Sequence, residues 1–176
     1  MEKHRDKAAR LFKEGYNCSQ SVFGAYADEY GIDAKLAFKF SASFGSGMGR
    51  MREVCGAVSG MFMVAGLETG TDIGKDFAGK QANYDMVQKL AAEYKKSNGS
   101  IICKELLGLV PMSDGTFIKH NGAMTKEDKE KLLLSGFKDT KPAERNEEYY
   151  KKRPCLAMIM EACDILDRIL FEDKQE

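Results

Sequence analysis

Tryptophan is absent from this chain, proline occurs only 3 times, histidine only 2 times, and no net charge remains once 27 basic and 27 acidic residues cancel. Each scarcity excludes something. The balanced charge removes the sequence-independent attraction to phosphate on which nucleic-acid binders depend, so nucleic acid is not an expected partner. The short basic run Lys151-Lys152-Arg153-Pro154 is read as a solvated approach to a helix. The two histidines, His4 and His120, fall in polar surroundings and are read as solvated side chains, which leaves little support for a Cys–His nucleophilic pair. No apolar run reaches the length of a membrane span, and the start Met-Glu-Lys-His-Arg-Asp-Lys lacks the apolar stretch of a signal peptide. No membrane partner and a cytoplasmic location are therefore the expectations. In a reducing compartment, cysteines that matter are more often metal ligands or catalytic thiols than permanent disulfides.

What is present is helical periodicity, Met in place of Trp as core filler, and 17 glycines. With 176 residues the chain is long enough to bury a core as one domain, 1–176, without metal or disulfide staples. The pattern predicts an all-α bundle of about six to eight helices. Helices are expected over about 2–14, 17–30 (capped by Asn17), 33 to about 43 (capped by Asp33), 53–68 and 76–96. A short helix capped by Ser100 ends at Gly108, another starts at Thr125, and a last one opens at Pro154. The segment at about 53–68 is apolar on nearly every side and reads as the central, fully buried helix. Between about 111 and 150 the pattern weakens into a polar loop excursion, with Thr116 to Lys119 as a brief extended piece.

The 5 cysteines carry the chemistry. Cys18, Cys55, Cys103 and Cys155 each stand in the first turn of an expected helix, where unpaired N–H groups and the helix dipole favour a thiolate. No pair has C-x2-C spacing, so zinc-ribbon and ferredoxin signatures do not apply; in a bundle, however, ligands come from separate helices and can meet at one end. These residues are the candidate metal ligands, for an iron–sulfur cluster or a zinc or iron ion. Cys55 and Cys18 are the candidate catalytic thiols. Cys163, in the interior of the last helix, is read as core.

Cys55 leads the set because Gly56 and Gly60 follow it on one helix face, so that a backbone or a cofactor can approach closely. Gly45, Gly47 and Gly49 form a glycine-rich loop just before it and join Gly56 and Gly60 as candidate cofactor-binding positions. The loop follows a helix and lacks a Gly-Lys-Ser/Thr ending, which argues against nucleotide binding and for a role in delivering Cys55. Arg50 and Arg52 stand where they can stabilise thiolate charge or a bound anion.

Taken together, Gly15-Tyr16-Asn17-Cys18-Ser19-Gln20-Ser21-Val22, the loop Phe44 to Arg50, the core Cys55-Gly56-Ala57-Val58-Ser59-Gly60, Cys103 to Gly108 and Cys155 resemble the C_GCAxxG_C_C family, named as redox-active. The resemblance runs over roughly 15–168. It implies that Cys18, Cys55, Cys103 and Cys155 are the family cysteines and Cys163 is extra. It also implies redox activity or metal-cluster binding, since a related domain occurs with an iron–sulfur cluster in a multihaem cytochrome, and it implies no substrate. Three readings stand: a redox or electron-transfer protein holding a metal or cluster on the four cysteines, a metal-free thiol–disulfide protein, and a helical binding or scaffold protein with core cysteines. The first calls for an electron-transfer partner protein, and a homodimer is compatible with it.

Overall fold

The computed structural model describes residues 2–119 and 124–172; His120 lies outside the described residues. The described residues form α1 (His4–Lys13), α2 (Cys18–Tyr26), α3 (Ala34–Ser41), α4 (Gly56–Thr69), α5 (Phe77–Asn98), α6 (Cys103–Leu106), α7 (Lys126–Leu134), α8 (Glu147–Lys152) and α9 (Cys155–Leu166). No strand occurs among them. Short 3-10 turns prolong α2 and α3, and a π turn, Asp167–Phe171, prolongs α9. None of the helices is long and apolar enough to cross a membrane, among the described residues.

Side-chain caps set the helix starts, because each satisfies an otherwise orphaned N–H. Asn17 accepts from Gln20 N while Gln20 reaches back to the Asn17 backbone, a reciprocal capping box. Asp33, Asp76, Thr125 and Asn146 cap α3, α5, α7 and α8 in the same manner. The last of these starts a helix in a charge-rich stretch where the sequence shows no clear period.

The core sits where α2, α4, α5 and α9 meet, with Tyr26, Met61, Leu90, Tyr94, Ile159 and Leu166 fully buried. Helix α4 is central, but only from Gly56 to Ala65; its last turns emerge, and Leu67 is exposed. It also starts later than the apolar pattern predicts. Residues 53–55 run beside 101–103, joined by the isolated antiparallel bridge Val54–Ile102. Three backbone bonds hold this short ladder: Cys55 N to Ile101 O at 2.8 Å, Cys103 N to Glu53 O at 2.6 Å and Lys104 N to Arg52 O at 3.0 Å. The extended pairing thus lies here, and Thr116 to Lys119 form no bridge.

Two expectations for charged residues are corrected by the packing. His4 is not a solvated terminal side chain: α1 lies against α2 and α9, which places the ring 4.1 Å from that of Tyr26. Its Nδ1 is 2.7 Å from Asp167 Oδ1 and its Nε2 3.3 Å from Glu29 Oε1. Arg153, read as part of a solvated basic run, is half-buried, with its guanidinium 4.8 Å over the Tyr149 ring.

Candidate functional site

Between α3 and α4 the backbone takes an unusual course. Ser46, Gly47, Met48, Gly49 and Arg50 all have positive φ, between 56° and 73°, and Gly49 N bonds to Gly45 O at 3.0 Å. This is one turn of left-handed helix, a conformation that costs roughly 1–2 kcal/mol for each residue carrying a Cβ. Gly47 is obligatory in it, since an added Cβ would stand 2.7 Å from Cys103 Cβ and 2.8 Å from Arg52 Cα. The turn sends Arg52, itself at φ 62°, into the interior, where it is only 2 % exposed.

The four cysteines arrive on four elements. Cys18, Cys103 and Cys155 are the first residues of α2, α6 and α9, and Cys55 is the N-cap of α4, one position outside its first turn. The Val54–Ile102 bridge brings Cys55 and Cys103 side by side in the ladder. Gly56 lets α2 approach, its Cβ position lying 2.9 Å from Cys18 Cβ, and Gly60 does the same against Val22 Cβ at 2.8 Å. The space before these glycines is therefore filled by protein. Gly45 likewise faces the Asn17 side chain, while Gly49 meets nothing closer than Ser43 O at 3.7 Å. Of the two kinds of close approach the glycines permit, the structure uses backbone packing.

All four cysteines line one small cavity, together with Ser46, Arg52, Tyr149, Arg153 and Met158. Its enclosed space is about 20 Å³, close to that of one ordered water. Three of the four sulfurs belong to buried residues, and Cys155 is the more open one. Cys163 stands apart in the core; its carbonyl accepts from Tyr26 Oη at 3.0 Å.

The thiols differ sharply in electrostatics. The neighbouring Cys18 thiol holds Cys155 down at about 7 against the opposing effect of burial, and Arg153, Arg52 and Arg145 add positive charge around it. The same interaction, with burial, pushes Cys18 well up. The arginines act on Cys155, which makes it the thiolate of the pair. Cys55 is pushed up to about 12, mainly by burial and then by the neighbouring cysteines, despite N–H groups of Ala57 and Val58 directed at it. Burial also raises Cys103, partly offset by Arg52, whose Nη1 is 4.0 Å from the Cys103 sulfur. Cys55 is thus not the low-pKa nucleophile that its glycine-rich helix start suggests: the desolvation of its sulfur outweighs the helix end.

Arg52 reaches the Cys103 sulfur, whereas Arg50 turns outward to Asp139, bonding its carbonyl at 2.9 Å. Three site residues escaped the sequence reading. Tyr94 appears there as a core aromatic, yet its Oη is 3.9 Å from the Cys55 sulfur. Tyr149 and Arg145 fall in the weakly periodic stretch; the Arg145 guanidinium lies 4.6 Å over the Tyr149 ring. Only the adjacency of Arg153 to Pro154 and Cys155 was available as a signal.

Among the described residues no three His, Cys, Asp or Glu side chains gather as ligands of one metal ion, although zinc–sulfur bonds of about 2.3 Å would require the sulfurs to crowd together. The four cysteines share the cavity, and among the described residues no three of them form such a group.

A family model described as "Putative redox-active protein (C_GCAxxG_C_C)" matches residues 16–169. No curated protein matches the chain, and no solved structure does.

Proposed function

The chain belongs to the C_GCAxxG_C_C family, and on that premise we propose that it is a thiol–disulfide redox protein in which Cys155 is the attacking thiolate and Cys18 the resolving thiol. One observation carries this reading: Cys18 and Cys155 share the wall of one cavity with Arg52 and Arg153, and the Cys155 sulfur is held down at about 7 there. A thiolate near neutral pH is the nucleophile of disulfide exchange, and a second thiol on the same cavity completes the pair. Cys55 and Cys103, raised by burial, stay protonated beside it as the wall of the site. A reducing compartment such as the cytoplasm suits a protein that works through free thiols.

The test is mild oxidation of the reduced protein followed by disulfide mapping. A Cys18–Cys155 bond, reversed by dithiothreitol, is expected in the parent protein and in Cys163→Ser, and it is lost in Cys155→Ser and Cys18→Ser. Equal inertness of all the thiols in the native protein sinks the proposal.

A second reading is favoured by the meeting of four cysteines from four elements on one cavity. A polynuclear iron–sulfur cluster takes four cysteine thiolates without needing them around one ion, and the nearby arginines would offset its negative charge. When bound it would supply one-electron chemistry and serve an electron-transfer partner protein. The cavity of about 20 Å³ has room for one small guest, so this reading requires the site to open and stands second. Iron and acid-labile sulfide in protein purified without oxygen, lost in Cys103→Ser, would promote it.

A further inference from the structure

A larger pocket of about 290 Å³ lies between α7 and α8, and Tyr149 and Arg153 line both it and the cysteine cavity. Its size approaches the lower end of small-molecule sites. The other polar groups in it are Asp128, Lys131, Asn146, Glu148 and Lys152, and Met124 and Leu132 supply an apolar wall. The two acids are both engaged by Lys152, at 3.2 Å from Asp128 and 2.7 Å from Glu148. Lys131 pairs with the exposed Glu127, a pair that water largely screens. Arg153 has no carboxylate partner among the described residues; it rests on the Tyr149 ring. Behind that ring Arg145 carries a buried Nη1 without any hydrogen-bond partner. Arg52, on the wall of the cysteine cavity, adds a second such group, its Nε buried and unpartnered. Such buried guanidinium groups are costly, and with Arg153 they concentrate positive charge on the path from this pocket to the cysteines.

We infer that this pocket is the port through which a low-molecular-weight disulfide with carboxylate-bearing arms reaches Cys155, and that Arg153 is the residue that reads its charge. The inference rests on the thiol–disulfide reading above and supplies its substrate class. The Cys155 thiolate attacks one substrate sulfur; the Cys155–substrate bond forms as the substrate S–S bond breaks, and one arm leaves as a thiolate with the bonding electron pair. Cys18 then attacks the Cys155 sulfur. The Cys18–Cys155 bond forms, the mixed disulfide breaks, and the second arm leaves with the other electron pair. The proton of Cys18 passes to a departing thiolate. Two electrons move from the protein dithiol to the disulfide, and nothing else is consumed. The apolar wall accommodates the carbon chains, and Asn146 and Lys131 at the rim add donors for the carboxylates.

The experiment compares oxidation rates of the reduced protein by dithiodipropionate, hydroxyethyl disulfide and cystamine at low salt, each divided by the rate of the same disulfide with free mercaptoethanol. The dicarboxylate is expected to exceed the diammonium compound by about tenfold or more, as charge steering does elsewhere. Arg153→Gln should cut that ratio several-fold. The ratio is insensitive to the reactivity of the thiolate, because every probe meets the same sulfur. Lys131→Glu alters an exposed side chain, leaves the fold intact, and should lower the ratio in the same direction. Equal normalised rates for all three probes, or a ratio unmoved in both variants, overturn the inference while leaving the thiol–disulfide reading in place. Failure of every probe, hydroxyethyl disulfide included, overturns both.

Discussion

Arg52 Nη1 stands 4.0 Å from the sulfur of Cys103, across 51 positions of sequence, and the contact is wholly interior. The left-handed turn at 46–50 aims the arginine, and the ladder with 101–104 holds the sulfur in reach. A buried cation beside buried thiols lowers the free energy of any negative charge that forms among them. The acidity of Cys155 is therefore a property of the assembled site, and the predictions below probe that assembly.

Alkylation of Cys155 should rise with pH around a midpoint near 7, while the other thiols react only in more alkaline solution. The sign follows from the thiolate being the reactive form. Iodoacetamide labelling read by peptide mass spectrometry gives the midpoint, and Arg153→Gln should move it upward.

Two substitutions at Cys18 separate its hydrogen bond from its redox role. Cys18→Ser keeps a donor to the Cys155 sulfur, so the midpoint stays low, but no disulfide can form. Cys18→Ala loses both and should raise the midpoint. Alkylation profiles of the two variants side by side decide this.

His4 binds between Asp167 and Glu29, and although burial works against the charged ring, these two bonds raise its pKa above the ordinary histidine value. A raised folded-state value contributes stability that is full below about pH 6.5 and is lost as pH rises through the folded value. Urea midpoints of the parent should therefore fall from mildly acid to alkaline pH relative to His4→Gln, which lacks that term. Parallel pH profiles of the two proteins would rule it out.

Gly60→Ala places a methyl 2.8 Å from Val22 Cβ and 3.0 Å from Ser19 O, so α2 must shift. A loss of about 1–3 kcal/mol is expected from such overpacking. Ser46→Gly acts oppositely, relieving a left-handed non-glycine residue for a gain of about 1 kcal/mol. Chemical denaturation of both variants measures the two signs.

The helices were legible wherever a cap and a period agree, as at Asn17 before α2 and Asp33 before α3. The start of α4 was not, because Val54 and Cys55 extend the apolar run, and their long-range pairing with 101 and 102 leaves no local signature. The four cysteines and Arg52 could be named from sequence since each sits beside a helix start or a glycine turn. The ranking among them could not. Cys55 has the better helix end, yet depth of burial and the positions of Arg145 and Arg153 decide the charge, and these depend on how α8 folds back. Tyr94 and Tyr149 carry ordinary aromatic patterns whose hydroxyl or ring reaches the site only in three dimensions.

The cysteine cavity draws its sulfurs from positions 18, 55, 103 and 155, so no fragment of the chain contains the site. A newly made chain has five ordinary thiols, each mostly protonated at neutral pH. On the thiol–disulfide reading, reactivity requires the last helix, which carries Cys155, to dock against α2, which carries Cys18. Neutral-pH labelling of Cys155 is thus a clock for completed folding, and the same delay shields the unfinished polypeptide from premature cross-linking.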